Sequence, residues 1–489
     1  MGGWVRSVAG QADILARCVA RGRGQWPVWA PWRRGLATTC PTHTGGAWIT
    51  ATPRVCLHDV PTTLRAGGLP PNAPVTLSAL IVDENGKQFV SNAHYVSDAL
   101  GVVDTGVAEA VSGSYTGVFP AGLLTSLAPA PHEFPLLRLY RRIPHHPWKV
   151  TVGVSEGHQP LERGEEAVVA KVELERHLMA PGVRRVPVRE GNIRATMYLP
   201  AGQGPFPAVI DMFGAIGGLM EFRSALLASR GIASLALAYF AYEDLPKTTD
   251  RFDLEYFEEA VKVLLSQPGV VSDRCGVVAT SKGADIAFCM ATWFPQVKAM
   301  TCISGSPVAL DSTISYRGST LVEGVKINFN DMSNKSGMLY PSREIIAREM
   351  SPEHPKFIPF HLADDETYFL MVAGDDDAWS CDLAVAATQQ RMEKFGRGDK
   401  IETVVYPGAG HILEPPYGPL IHHSYHRNPP LMSEDGSQKM RGIPMLWGGN
   451  ARATCVAQED LWRRMRAFIT KHVRDHSPSY QKHLTTNTC

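Results

Sequence analysis

The stretch Gly276-Val277-Val278-Ala279-Thr280-Ser281-Lys282-Gly283, followed by the helix-compatible run 284–293, decides the fold of this chain. Its small and β-branched residues make a buried strand, and the alanine-rich run after it has helical composition, so Ser281 falls on the turn between them. A serine displayed on so sharp a junction needs small residues two positions before and two after it. Ala279 and Gly283 meet that need, with Ala279 standing where glycine is commoner. In isolation a serine before a glycine is a turn; its meaning depends on what lies at the ends of the neighbouring strands.

Working outward, short apolar segments recur at 208–212, 233–238, 299–303, 368–372 and 403–406, separated by helix-like segments at 220–230 and 253–266. Such alternation predicts a mostly parallel sheet covered on both faces, with its reaction centre at the carboxyl ends of the strands. The segment after 368–372 is Ala373-Gly374-Asp375-Asp376-Asp377-Ala378-Trp379, and the segment after 403–406 is Pro407-Gly408-Ala409-Gly410-His411. Serine, then acid, then histidine, each beyond a successive strand, is the order of an α/β-hydrolase triad. Taken singly, the three aspartates are a solvated acidic turn and His411 is a turn residue; together they are a candidate nucleophile, orienting acid and base. An oxyanion hole needs backbone N–H groups after the nucleophile and from an earlier strand end. Lys282 supplies the first, and Gly214 or Ala215, in the Gly-rich stretch after 208–212, the second. The rival reading of that stretch, phosphate binding, lacks both Gly-x-Gly-x-x-Gly and Gly-Lys-Ser/Thr. The segment 307–366 interrupts the alternation with irregular sequence, either a cap over the site or a surface insertion.

Toward the amino terminus the period falls to two. Val75, Leu77, Ala79 and Ile81 alternate with smaller or polar residues, Asp83-Glu84-Asn85-Gly86 is hairpin chemistry, and 89–95 returns as a partner strand. Further strands are expected over 136–141 and 149–154, giving an antiparallel β-sandwich over 55–185 ahead of a catalytic domain over 186–475 and a tail over 476–489. From Met1 to His58 the sole acidic residue is Asp13, lysine is absent, and Arg recurs at 6, 17, 21, 23, 33, 34 and 54. Residues 1–54 therefore read as a mitochondrial presequence, with a cytoplasmic location as the alternative.

Lys plus Arg equals Asp plus Glu at 48 each, so no global field draws nucleic acid. The nine cysteines show no Cys-x-x-Cys pair or zinc spacing, which fits a reducing compartment and no metal. His422, His423 and His426 lack accompanying carboxylates and are read as packing or surface residues, as is His145-His146. Cys275 and Cys289, beside the elbow, are assigned to packing, and the Lys282 side chain to a ligand phosphate, to solvent or to a local hydrogen bond. No run approaches a membrane-spanning length.

Pro205-Phe206-Pro207, Asp211-Met212-Phe213-Gly214, Tyr242-Glu243-Asp244-Leu245-Pro246-Lys247, Ser281-Lys282-Gly283, Gly410-His411, Glu414-Pro415-Pro416-Tyr417 and Trp447-Gly448-Gly449 occur in order along the chain. With these stretches the sequence from about 55 to 472 resembles the acyl-CoA thioesterase and bile acid-CoA:amino acid N-acyltransferase family, most of all its type I thioesterases. The resemblance implies a β-sandwich followed by an α/β-hydrolase domain. It also implies a triad of Ser281, Asp376 and His411, with Asp-Asp-x-x-Trp at 375–379 selecting Asp376 over the runner-up Asp375. Acyl-transferring members place Cys where this chain has Ser281, so the resemblance favours hydrolysis of fatty acyl-CoA over amide formation. The expectation is a monomer that needs no cofactor and neither binds nucleic acid nor inserts stably in a membrane. Transfer to an amino acid and a catalytically silent binding protein are the alternatives.

Overall fold

The structure, a computed structural model, describes residues 46–139, 144–161, 167–351, 353–427 and 442–474. Strands Pro74–Val82 and Gln88–Val96 pair along their whole length, Val82 opposite Gln88. Asp83 Oδ1 closes the turn between them by accepting from the N–H groups of Asn85 (2.7 Å) and Lys87 (2.8 Å). This hairpin is the centre of a seven-stranded sheet that also contains Trp148–Glu156 and Val168–His177. A three-stranded sheet of Trp48–Thr52, Thr63–Gly67 and Val103–Asp104 lies against it. Ile49, Leu64 and Ala66 from the small sheet and Leu77, Ala79 and Val152 from the large one fill a single core. The amino-terminal region is therefore a β-sandwich.

Two expectations for this region are corrected. The sandwich starts before residue 55, because Trp48–Thr52 is a paired strand. Gly67 opposite Trp48 makes room for the indole, since a Cβ there would lie 2.3 Å from Trp48 Cζ2. The described part of 136–141 forms no strand: the Leu136 carbonyl accepts from Tyr425 N–H (3.2 Å), and Arg138 is ion-paired to Glu414. Residues 1–45 of the expected presequence and the expected tail 476–489 lie outside the described residues, and His145-His146 falls in a turn.

The carboxyl-terminal region is built on an eight-stranded sheet. Its strands are β1 Arg184–Val188, β2 Arg194–Leu199, β3 Ala208–Met212, β4 Ala233–Ala238, β5 Cys275–Thr280, β6 Val297–Ile303, β7 Tyr368–Gly374 and β8 Ile401–Tyr406. Their spatial order is β1-β2-β4-β3-β5-β6-β7-β8, antiparallel at β1-β2-β4 and parallel beyond. Every residue of β3, β4, β5 and β6 is buried, as strands covered on both faces require. Helices α1 Phe222–Ser229 and α5 Ala451–Val473 cover one face. Helices α2 Leu254–Leu265, α3 Gly283–Trp293 and α4 Cys381–Lys394 cover the other. This is an α/β-hydrolase fold.

The insertion 307–366 is more regular than its sequence suggests. Thr313–Tyr316 and Ser319–Val322 complete a small sheet with Arg251–Asp253, and Met332–Lys335 and Met338–Pro341 join Ile443–Leu446 and His423–His426 in another. Its regularity comes from partner strands far away in sequence, which local patterning does not register. The two domains are pinned at buried points. Asp59 of the sandwich accepts from Arg230 Nε (2.7 Å) and from Trp462 Nε1 (2.7 Å). Among the described residues no helix is long and apolar enough to cross a membrane.

Candidate active site

Ser281 sits at the end of β5 with φ 52°, a left-handed conformation that a serine adopts at a cost of about 1–3 kcal/mol. The turn closes because neighbouring residues are small. A Cβ on Gly283 would lie 2.9 Å from the Phe213 carbonyl, and one on Gly214 would lie 2.8 Å from Ser281 Cβ. Lys282 caps α3, so the helix begins directly behind the nucleophile candidate.

His411 Nε2 lies 3.0 Å from Ser281 Oγ. On its far side His411 Nδ1 lies 3.0 Å from both Oδ1 and Oδ2 of Asp377. A carboxylate only accepts, so Nδ1 carries the proton and Nε2 is free to accept from the serine hydroxyl. Asp377 is buried, and its Oδ1 also accepts from Trp379 N–H (2.7 Å), which fixes the carboxylate. The His411 ring stacks on Trp447 with centroids 5.4 Å apart.

The expected acid, Asp376, is displaced by one residue. Beyond β7 the three adjacent aspartates take different partners, two in the loop after β8 and one in the segment before α5. Asp375 Oδ1 accepts from Gly408 N–H (2.6 Å), and Asp376 Oδ2 from Gly449 N–H (3.0 Å). Asp377, turned inward by the bridge between its backbone and Gly448, meets His411. The structure thus brings Ser281 and His411 together as expected and replaces Asp376 with Asp377.

A cavity opens at Ser281 and His411, with Ala215, Lys282, Trp379 and Trp447 in its wall. Val308, Leu310, Ile346 and Met350 also line it, so the insertion caps the site. The Lys282 side chain is buried, bonded to Asp285 and to the Leu310 carbonyl (2.7 Å), which selects the local hydrogen bond over a phosphate contact. Burial raises the Asp285 pKa against the opposing pull of Lys282.

Residues 59–190 match the family described as "Acyl-CoA thioester hydrolase/BAAT N-terminal region", and residues 252–475 match "BAAT / Acyl-CoA thioester hydrolase C terminal". Acyl-coenzyme A thioesterase 1 of Homo sapiens is 39% identical over 86% of this chain and 95% of its own length. Acyl-coenzyme A thioesterase 2, mitochondrial, of Homo sapiens is 38% identical, over 86% of this chain and 83% of its own. The mouse protein of the latter name is 37% identical over 91% and 95%. The chain belongs to the acyl-CoA thioester hydrolase/BAAT family.

Within this family member, several residues around the site escaped the sequence reading. Arg223, fully buried on α1, donates from Nε to Asp211 Oδ1 (2.7 Å), from one terminal nitrogen to Thr280 Oγ1 (2.7 Å) and from the other to the Met212 carbonyl (3.0 Å). It ties the loop of Gly214 and Ala215 to the residue before Ser281. The stretch Trp447-Gly448-Gly449 has a physical role as well. A Cβ on Gly448 would fall 1.9 Å from the Asp376 carbonyl, and one on Gly410 2.4 Å from the Gly448 carbonyl. His426, of the histidine cluster, is buried in the cavity wall beside Trp447, its pKa pushed down to about 3 by burial, Arg138 and His411. His422 and His423 hydrogen-bond each other through their Nδ1 atoms (3.1 Å). Cys275 and Cys289 are fully buried and their thiols are pushed up by desolvation, Cys275 to about 12, so both are packing residues. Among the described residues Asp377, Cys381 and His411 form the one group with metal-ligating spacing, and it is already committed to the imidazole–carboxylate contact.

Proposed function

We propose that this chain is a fatty acyl-CoA thioesterase acting through an acyl-serine intermediate. The observation that carries the reading is the continuous path from Ser281 Oγ through His411 Nε2 and Nδ1 to the Asp377 carboxylate. Ser281 Oγ attacks the thioester carbonyl while His411 takes its proton. Backbone N–H groups of Lys282 and of Ala215 or Gly214 stabilise the oxyanion. The C–S bond breaks, His411 protonates the departing CoA sulfur, and an acyl-Ser281 ester remains. Water, deprotonated by the same imidazole, then attacks that ester, releasing the fatty acid and returning the proton to Ser281. Asp377 holds the imidazole tautomer and stabilises its charged form throughout.

The nucleophile favours hydrolysis over the alternative, acyl transfer to an amino acid, because an ester of serine yields readily to activated water. The Arg-rich, acid-poor composition of residues 1–54, together with the mitochondrial names of some relatives, supports a mitochondrial matrix location. Thiol release from acyl-CoA by the wild-type chain and by Ser281→Ala tests the mechanism. The variant is expected to lose at least about a thousandfold in kcat while unfolding normally. Near-normal turnover by Ser281→Ala removes the acyl-serine. Amide products in the presence of glycine or taurine establish the transferase instead.

A further inference from the structure

Most polar side chains lining the cavity at Ser281 are already spent. Ser281 and His411 engage each other (3.0 Å), Cys381 Sγ lies 3.8 Å from His411 Nδ1, and the Lys282 ammonium is held by Asp285 and the Leu310 carbonyl. Ser306 Oγ accepts from Val308 N–H (2.9 Å), and Trp447 Nε1 donates to Ser424 Oγ (2.8 Å). Ser304 Oγ and Trp379 Nε1 have no partner but are sealed inside the wall. His426 differs from all of these. Its ring lines the cavity, among the described residues nothing hydrogen-bonds either ring nitrogen, and neither nitrogen is sealed in that way. Burial, then Arg138 and His411, keep the ring neutral, so it offers one N–H and one lone pair.

What would meet that imidazole follows from the order of rings beside the nucleophile. His411 Nε2 faces Ser281, the His411 ring stacks on Trp447 at 5.4 Å between centroids, and Trp447 packs against His426 at 5.5 Å. Cleavage of a thioester puts its sulfur against His411, because that imidazole must protonate it. The arm carrying the sulfur then leaves past the neighbours of His411, which are Trp447 and His426. The acyl group takes the apolar side formed by Val308, Leu310, Ile346 and Met350. The cavity has about 50 Å³ of room, a few times what a single water needs, so it takes the thioester and the atoms beside it rather than a whole CoA. In a CoA thioester an amide stands two methylenes from the sulfur. Entering this wall costs that amide its hydration, and an amide buried without a partner is destabilised. His426 is the group there with a donor and an acceptor to give.

We propose that His426 hydrogen-bonds the amide nearest the sulfur in the leaving arm, and so selects CoA thioesters over thioesters whose arm is hydrocarbon. The identity of the arm rests on the thioesterase reading; the unspent imidazole in the wall does not.

Three octanoyl thioesters test this: octanoyl-CoA, the N-acetylcysteamine ester, which keeps that amide, and the S-pentyl ester, in which hydrocarbon replaces it. His426→Phe keeps a ring against Trp447 and removes both nitrogens. It is expected to lower kcat/KM about tenfold for the two amide-bearing esters and less than about twofold for the pentyl ester, as loss of one hydrogen bond requires. His426→Gln, which keeps a donor and an acceptor, is expected to recover part of the loss. Should thermal unfolding show that His426→Phe does not fold, His426→Met, which also lacks both nitrogens, takes its place. An unchanged kcat/KM on the amide-bearing esters overturns the proposal, as does an equal loss on all three. An equal loss with a burst of thiol ahead of the fatty acid places His426 on the attacking water instead. Calorimetric titration of the two smaller esters into Ser281→Ala, with and without His426→Phe, reads the contact apart from the reaction, and the same selective loss is expected in Kd. That loss without wild-type turnover of any of the three esters refutes the reaction and leaves the contact standing; octanoyl-CoA hydrolysis without it does the reverse.

Discussion

The turns after β5 and after β7 hold opposite ends of one proton path by different physical means. The serine turn is braced by a buried charge network: Arg223 spans Asp211, the Met212 carbonyl and Thr280, and Ser224 Oγ adds a bond to Asp211 Oδ2 (2.8 Å). The aspartate turn is braced by backbone interlocking. Gly374, Gly410 and Gly448 let three chain segments approach where any Cβ would collide, and Trp447 O accepts from His411 N–H (2.9 Å). A charge network fails sharply when one partner goes, because it strands a buried ion. An interlocked backbone fails by displacement, because its strength is fit.

The largest effect should separate the adjacent aspartates. Asp377→Asn is expected to lower kcat by about ten-thousandfold, since the amide cannot hold Nδ1 protonated in the same way. Asp376→Asn still accepts from Gly449 N–H and loses about 1 kcal/mol, less than tenfold in rate. Thiol-release kinetics on the two variants read this directly. Equal losses would mean that the turn shifts to present either carboxylate.

That one-residue difference shows where the sequence is legible and where it is not. The elbow was readable because its demands are local: Ala279 and Gly283 flank Ser281, and the strand and helix around it carry their own periodicity. The positions of strands β3 to β8 along the chain and the placement of His411 beyond β8 followed from the same local signals. Choosing among Asp375, Asp376 and Asp377 required knowing that Gly449 N–H, far along the chain, takes the second of them. The start of the sandwich at Trp48–Thr52 was missed for a similar reason, because its pairing with Thr63–Gly67 outweighs a composition that resembles a leader. Arg223 gives no local signal, being one arginine in a short helix.

The charge brace should fail next. Arg223→Met leaves the Asp211 carboxylate buried with no counter-ion and is expected to cost about 3–5 kcal/mol in denaturant unfolding. Adding Asp211→Leu should recover much of that loss, as a double-mutant cycle measures. If the double variant is no more stable than Arg223→Met, the bonds to Thr280 and Met212 carry the brace, rather than the ion pair.

The interlock should fail more gently. Gly448→Ala places a methyl on a residue at φ 77° and against the Asp376 carbonyl, so about 1–3 kcal/mol of backbone strain is expected, with the cost of shifting the Asp376 segment added to it. Because this segment also holds Asp377 and His411, kcat should fall while KM for acyl-CoA stays near its wild-type value. A stability loss with unchanged kcat would uncouple the interlock from the proton path.

The smallest effect concerns how the aspartate side responds to acid. His426 is buried behind Trp447, and its pKa of about 3 in the fold lies below the ordinary value of 6.5 because burial, then Arg138 and His411, disfavour its charged form. Between those two values the unfolded chain binds the proton and the native chain does not. The associated stability is therefore complete above about pH 6.5 and is lost as pH falls toward 3, at about 1.4 kcal/mol per pH unit for each such histidine. His58, also held near 3, adds a loss of the same sign at the domain junction. Urea unfolding of His426→Gln between pH 6 and 4 should show a slope shallower than wild type by about that amount per unit. If the slopes coincide, the native protein accommodates a charged His426, and the wall behind His411 is wetter than its packing against Trp447 implies.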